Sequence, residues 1–363
     1  MIKAKEERTE RLWDVRFIRT IKTLAPGTPL RDGLENVLRA KMGALVLVGD
    51  SPAALEIVDG GFELNSEFTP AGFYELAKMD GAIVLSNDGK RILCANAQLM
   101  PDPGIATAET GTRHRTAERA AKQTGGLVVA ISQRRNIITV YLGHLRYTLK
   151  DIPVILNRAN QALQTLEKYK NVLDKGLTNL SALEFEDLVT LYDVAVILIR
   201  AEQVNRIAME IKRNTIELGS EGRLVSMQME ELIADIDAAA LLVKDYCNTN
   251  DLKEYETVRE QIALLPEENL EPFTICRILG YGVSPNAMDI PVVPRGYRVL
   301  RQISRLPLLV GEKLVTHFKT LHRIYNASLS ELDEVEGIGE VRAKTIKDGL
   351  KRVREQALLD RHV

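Results

Sequence analysis

Near Asp151 the hydrophobic pattern of the chain changes period, and that change decides what the chain can fold into. Before it, short apolar runs stand apart: Ala44–Val48, Ala82–Leu85, Arg91–Ala95, Leu127–Ile131 and Ile137–Tyr141. Such runs, bounded by Gly, Asn and Asp, read as strands. Ala82–Leu85 lacks alternation, which predicts a strand buried on both faces. Phe73–Met79 and Thr116–Gln123 read as helices between strands. After Asp151, apolar residues recur at helical steps: Leu156, Ala159, Leu163, Leu166 and Leu173. Helical texture continues through Leu183–Arg213 and Arg223–Tyr246, with Gly219 and Gly222 marking a break. The expectation is an α/β domain, a mixed sheet flanked by helices, followed by all-α segments.

A chain of 363 residues exceeds one ordinary core. Its charge divides it further. Residues 1–150 hold 21 Lys and Arg against 17 Asp and Glu, residues 151–290 hold 13 against 24, and residues 291–363 hold 14 against 9. The net charge of −2 therefore hides an acidic middle between two basic ends. The basic C-terminal piece suits phosphates, which the acidic middle would repel. The Pro-rich stretch from Pro285 to Pro294 reads as a border. These features suggest domains at 1–150, 151–290 and 291–363, the middle one a spacer or oligomerisation element.

The longest apolar runs fall far short of a membrane span. The N-terminus has no apolar h-region, so no secretory signal is expected. Cys94, Cys247 and Cys276 lie far apart in apolar surroundings, without disulfide or metal-ligand spacing; buried thiols in a cytoplasmic protein are the expectation.

Two stretches carry chemistry. Toward the C-terminus, Glu336-Gly337-Ile338-Gly339 precedes a basic helix. Glycines allow a tight backbone and leave its N–H groups uncovered, and with the positive end of the following helix they form an anion site. Arg342, Lys344 and Lys347 add sequence-independent attraction to a phosphate backbone. Ile338 reads as a plug into the core. A weaker repeat, Ser304–Val315, places Gly311 and Lys313 in a matching hairpin, with Gly311 and Gly339 as turn glycines 28 residues apart. A plain helical turn needing glycine is the competing reading for both. Asp348 lies where a base-excising hairpin enzyme would carry its carboxylate, but no pocket-lining aromatic cluster accompanies it.

Nearer the N-terminus, Thr110-Gly111-Thr112 leads into a helix that opens with Arg113 and Arg115. Cations in a first helical turn oppose the helix dipole and need a reason to be there. A bound polyphosphate supplies one, through bidentate guanidinium contacts; pairing with Glu109 and Glu118 supplies another. No phosphate-loop, dinucleotide or nucleophile-turn fingerprint competes. His114 is the one histidine in the first 140 residues, which excludes a histidine metal cluster there.

Asp80-Gly81-Ala82, Leu99-Met100-Pro101-Asp102-Pro103 and Gly111-Thr112-Arg113-His114-Arg115-Thr116-Ala117-Glu118, taken together, resemble the diadenylate cyclase domain. With an acidic helical middle and a tandem helix-hairpin-helix end, the whole chain is similar to the bacterial diadenylate cyclases that scan DNA integrity. The resemblance implies condensation of two ATP molecules into cyclic di-AMP with release of two pyrophosphates. It implies Mg²⁺ or Mn²⁺ held by Asp80, with Arg113, His114 and Arg115 in the catalytic set. Gly81 and Leu99 would line the adenosine, and Gly111, Thr112, Arg113, His114, Arg115, Thr116 and Ser132 would hold phosphates, with Arg135 as a neighbour. Gln133 departs from the basic run expected there. One motif set per chain cannot cyclise two nucleotides, so two copies must face each other across a two-fold axis. The resemblance further implies an octamer, branched or junction DNA bound without sequence specificity, and a cytoplasmic, nucleoid-associated protein. The alternative is an architectural DNA-binding protein that binds nucleotide without turnover.

Overall fold

The structure is a computed structural model that describes residues 13–234, 238–249, 252–282, 288–304 and 306–360. The N-terminal stretch read for a secretory signal, residues 1–12, and Pro285, where the Pro-rich border begins, lie outside the described residues. The chain divides into two compact units. One takes residues up to 161 together with 210–227, the other residues 162–209 together with 228 onward.

In the first unit the described strands are β1 (Ala44–Val48), β2 (Val58–Asp59), β3 (Phe62–Glu67), β4 (Ala82–Leu85), β5 (Arg91–Leu99), β6 (Leu127–Ser132), β7 (Ile137–Leu142) and β8 (Leu145–Thr148). They form one mixed sheet in the order β2-β5-β4-β1-β6-β7-β8, with β3 also pairing to β5. β1 and β4 run parallel, and β6 returns antiparallel beside β1. Alternate residues of each strand point to opposite faces. Val46, Ile83 and Val129 meet Phe17, Leu34 and Phe73 from the helices Val15–Thr23, Pro29–Arg39 and Pro70–Leu76. Leu45, Val84 and Val128 meet Ala117, Ala120 and Ala121 of the helix Thr112–Thr124. Both faces are covered, which is why Ala82–Leu85 shows no alternation.

Two helices begin earlier than the apolar pattern predicts, one of them at a side-chain cap. Thr69 caps the helix Pro70–Leu76 through its side chain, with Pro70 in the first turn, where a missing N–H costs nothing. The helix Thr112–Thr124 starts at Gly111 and ends at Gly125, which takes the left-handed conformation at φ 64°. Among the cysteines, Cys94 is half-buried and Cys247 and Cys276 are buried; all three are free.

The described part of the second unit is helical. Residues 162–186 continue the helix Ile152–Glu186 and carry Ser181 and Glu184 inward. Arg298 is buried against them: its guanidinium pairs with Glu184 and donates twice to Ser181 Oγ at 3.0 Å. Tyr246 Oη donates to the other Glu184 oxygen at 2.6 Å. Asp245 accepts the backbone N–H groups of Gly296 and Tyr297 at 2.7 Å and of Arg298 at 2.9 Å. It thereby caps the short helix Tyr297–Arg301. A buried ion pair with a hydrogen-bonded surround fixes geometry more surely than it adds stability.

The last 70 or so residues form two hairpins over one core that includes Leu300, Leu314, Leu332, Ile338 and Ile346. The first joins Tyr297–Arg301 to Leu308–Phe318; the second joins Leu329–Asp333 to Glu340–Asp360. Each helix of the second begins 32 residues after its counterpart, Tyr297 to Leu329 and Leu308 to Glu340. This corrects the 28-residue register. Gly311 is not a turn glycine: it lies inside the helix Leu308–Phe318, four residues beyond Pro307, as Ala343 lies four beyond Gly339. A Cβ on Gly311 would stand 3.9 Å from Leu300. That is an ordinary contact distance, and Pro307 takes the position that Gly339 holds in the second turn.

Candidate functional site

The strand register gathers the separated motifs at one end of the sheet. β1 and β4 are in register from Leu45 with Ala82, so Gly43 and Asp80-Gly81 precede neighbouring strands at the same end. β5 ends there too, since Ala82 pairs with Ala97 two residues before Leu99. β6 runs the other way beside β1, Ala44 opposite Ile131, and so delivers Ser132 to that end. Neighbouring strands stand about 4.8 Å apart, so the motifs lie within a few strand widths of one another.

Asp80 is exposed, and no described side chain pairs with its carboxylate. Gly81 follows at φ +92°, where a Cβ would meet Ala97 O at 2.7 Å. Only glycine lets the chain turn from Asp80 into β4 so close to β5. Leu99 is buried in the core under the helix Thr112–Thr124, paired with Val58 of β2. Ser132 closes β6, and its Oγ accepts the Arg135 N–H at 3.2 Å in the β6–β7 turn. Gln133 and Arg135 lie exposed in that turn.

The helix Thr112–Thr124 aims its N-terminus at this edge. Its N-cap, Gly111, offers no side-chain acceptor, and no acid occupies the first turn. The first N–H groups thus lack a side-chain partner, the arrangement that binds anions. Arg113 and Arg115 find no carboxylate among the described residues. The two acids that could have neutralised them are engaged elsewhere. Glu118 accepts from Lys122 at 2.7 Å and from Thr107 at 2.5 Å. Glu109 accepts from Arg146 Nε at 2.5 Å and from Tyr141 Oη at 2.9 Å. Arg113 instead lies over Gly43, its Nη1 2.1 Å from where a Cβ would stand. That contact places a guanidinium at the start of β1, between Asp80 on one side and Ser132 on the other. Thr112 is exposed and Thr116 half-buried on the same helix.

His114 is half-buried, with Nδ1 2.9 Å from Tyr141 Oη and a buried Nε2 that meets no hydrogen-bond partner among the described residues. Burial, then the charges of Arg135, Arg146 and Arg113, hold its pKa below the ordinary histidine value against the pull of Glu109. Burial pushes the Glu109 carboxyl up, but the bonds from Arg146 and Tyr141 outweigh it and leave its pKa lowered. Burial and Glu109 together keep the Tyr141 phenol protonated. The sequence reading found Glu109 only as a counter-ion and missed Gly43, Tyr141 and Arg146. A glycine directly ahead of a buried strand is the one available signal for Gly43.

No three His, Cys, Asp or Glu among the described residues form a metal cage. A lone free carboxylate fits a hard cation that takes its remaining oxygens from phosphates and water, as Mg²⁺ does; it does not fit a protein-enclosed ion.

At the other end of the chain, Ile338 is buried while Gly337, at φ +88°, and Gly339 face open space. Arg342 and Lys344 are exposed on the helix that follows, Arg342 donating one bond to Gly337 O at 2.5 Å. Lys313 pairs with Glu336 at 2.8 Å. Lys347 is turned inward, donating to the carbonyls of Tyr325 and Ala327, which separates it from the exposed cations.

The family described as DisA bacterial checkpoint controller nucleotide-binding matches residues 31–145, and the DisA bacterial checkpoint controller linker region matches residues 149–288. The chain is 56% identical over 345 residues to the DNA integrity scanning protein DisA of Carboxydothermus hydrogenoformans, covering 94% of this chain and 98% of that one. The corresponding protein of Clostridium tetani is 53% identical over 365 residues, covering 100% and 99%. Among solved structures, DacA of Staphylococcus aureus is similar over 41% of this chain and 90% of that one, at 18% identity and a TM-score of 0.28. A hypothetical membrane spanning protein of Bacillus cereus is similar over 34% and 62%, at 22% identity and a TM-score of 0.31. No helix of the described residues is long and apolar enough to cross a membrane.

Proposed function

The chain belongs to the DisA family of bacterial diadenylate cyclases, and from that premise we propose that the edge carrying Asp80, Arg113 and Ser132 is where ATP is cyclised. The observation that carries the assignment is a pair of guanidinium groups, Arg113 and Arg115, that meet no carboxylate among the described residues, at a helix N-terminus with no capping side chain and no acid. A triphosphate resolves that excess of positive charge.

The reaction joins two ATP molecules: each ribose 3′-hydroxyl attacks the α-phosphorus of the other nucleotide and expels pyrophosphate. The N–H groups of the first helical turn and the Arg113 and Arg115 guanidiniums neutralise charge that grows on the phosphoryl oxygens and the leaving group. Ser132, with Thr112 and Thr116, orients phosphate oxygens, and Gly81 and Leu99 shape the adenosine side. A divalent cation, Mg²⁺ or Mn²⁺, on the Asp80 carboxylate would add charge neutralisation and acidify the attacking hydroxyl. Holding the two nucleotides in line supplies much of the remaining acceleration. One chain presents one such edge, so the working site belongs to two copies related by a two-fold axis, within a larger homo-oligomer.

The C-terminal hairpins are the DNA-facing part of this reading. Gly337 and Gly339 leave backbone N–H groups open, and Arg342, Lys344 and Lys313 surround them, which suits phosphates without base recognition. Branched DNA held there would alter cyclase output, in a cytoplasmic, nucleoid-associated protein.

Purified protein given ATP with Mg²⁺ or Mn²⁺ should yield cyclic di-AMP and pyrophosphate, resolved by chromatography, and added four-way junctions should change the rate. Absence of product with either metal would overturn the site assignment. A rate indifferent to junctions that do bind would overturn the regulatory part alone.

A further inference from the structure

Four polar groups beside the proposed phosphate site form a chain whose hydrogen bonds converge on the Glu109 carboxylate. Arg146 Nε donates to Glu109 Oε1 at 2.5 Å, and Tyr141 Oη donates to the same oxygen at 2.9 Å. A phenol has a single proton to give. With it directed at a carboxylate, the stronger acceptor, the Tyr141 oxygen is left to accept from its other neighbour. That neighbour is His114 Nδ1, 2.9 Å away. The imidazole therefore carries its proton on Nδ1, and its other nitrogen, Nε2, holds a bare lone pair. Nε2 is buried and, among the described residues, has no hydrogen-bond partner.

We propose that Glu109, Tyr141 and Arg146 are positioning residues that hold His114 as the Nδ1–H tautomer, so that Nε2 donates to a nucleotide phosphate only after His114 takes up a second proton. This rests on the reading of the Gly111–Arg115 turn as the triphosphate site. The groups facing the ring come from every element around it: Glu109 ahead of the helix, Arg113 on the helix, Arg135 from the β6–β7 turn, Tyr141 from β7 and Arg146 from β8. In the free protein burial and three guanidiniums keep the ring neutral. A triphosphate reverses the sign of that field, and a phosphate oxygen would repel a lone pair on Nε2. The imidazolium then gives both its protons, Nε2–H to the phosphate and Nδ1–H to Tyr141, with the Glu109 charge behind it. Nucleotide binding thus consumes one proton per site and weakens as pH rises.

Nitrogen-15 spectra of full-length protein labelled at its five histidines test the assignment, with the His114 signal identified by its loss in His114→Gln. In the free protein the signal should show a protonated Nδ1 and a bare Nε2. With Mg²⁺ and α,β-methylene ATP both nitrogens should be protonated. Calorimetry of the same ligand in two buffers of different ionisation enthalpy should count one proton taken up by the wild type. Glu109→Gln should take up none, because it keeps an acceptor for Tyr141 and loses the charge. Tyr141→Phe should mix the tautomers and raise KM for ATP about tenfold while kcat changes less. A protonated Nε2 in the free protein, or a singly protonated ring in the complex, overturns the proposal. Missing cyclase activity with these spectra intact would fail the functional reading and leave the tautomer standing.

Discussion

At the scale of single residues, Asp80 and Gly81 divide the work of one turn. The carboxylate is exposed and unpaired, while the glycine beside it brings the backbone against Ala97 at a φ that side chains avoid. Asp80→Asn keeps shape and loses charge. It should lower kcat by about 10²-fold or more while a fluorescent ATP analogue still binds, read by turnover beside direct titration. Gly81→Ala should instead destabilise the first unit by about 1–3 kcal/mol, seen as a lowered thermal midpoint. Gly43→Ala makes a different test. Its Cβ would displace the flexible end of Arg113 rather than backbone, so fold should survive and KM for ATP should rise. Arg113 and Arg115 stood out because cations in a first helical turn are a local signal; Asp80 and His114 were picked out only by the resemblance of the motifs, since Asp-Gly-Ala alone says little. Gly43 and Tyr141 were not picked out at all. Their importance comes from contacts 70 and 27 residues away in the chain, to Arg113 and His114, and a glycine or a tyrosine in an apolar run looks the same with or without them.

Elements were legible where periodicity alone decides them, as in β1 and β4, whose ends agree with the apolar runs. They were misjudged where caps or close packing decide. The start of the helix Pro70–Leu76 follows Thr69, and the first hairpin turns ahead of Pro307 rather than at Gly311. The helix Tyr297–Arg301 depends on a remote side chain, since Asp245 accepts the N–H groups of its N-cap Gly296 and of its first two residues. Burial, and next the Glu184 charge, push the Asp245 carboxyl from 3.8 up to about 7. A pKa raised on folding means that its stabilising contribution is complete below about pH 3.8 and is lost as pH rises through about 7. Asp245→Asn should therefore flatten the fall in thermal midpoint over that range relative to wild type. An equal slope in both proteins would show that Asp245 is ionised throughout.

For the whole molecule, the change of period near Asp151 correctly separated a sheet-based part from a helical one, and the charge blocks separated basic ends from an acidic middle. What one-dimensional reading could not supply is how distant segments close on each other. Residues 210–227 belong with the sheet, and the helix that carries Glu184 shares its buried charge with Arg298, 114 residues on. This bears on how DNA binding is tested. Arg342→Ala with Lys344→Ala should weaken binding to all sequences alike and reduce the salt slope by about 2, leaving basal cyclisation unchanged. Deletion from residue 291 removes Arg298 as well and strands the carboxylates of Glu184 and Asp245 in an apolar setting. That truncated chain should melt several degrees lower, so its loss of DNA binding would not report on the hairpins alone. The hairpin pair is accordingly not portable at the Pro-rich border. A chimera that transplants it onto another protein, or a recombination event that exchanges it between relatives, must bring the Glu184 helix along or rebuild both ends of that ion pair together.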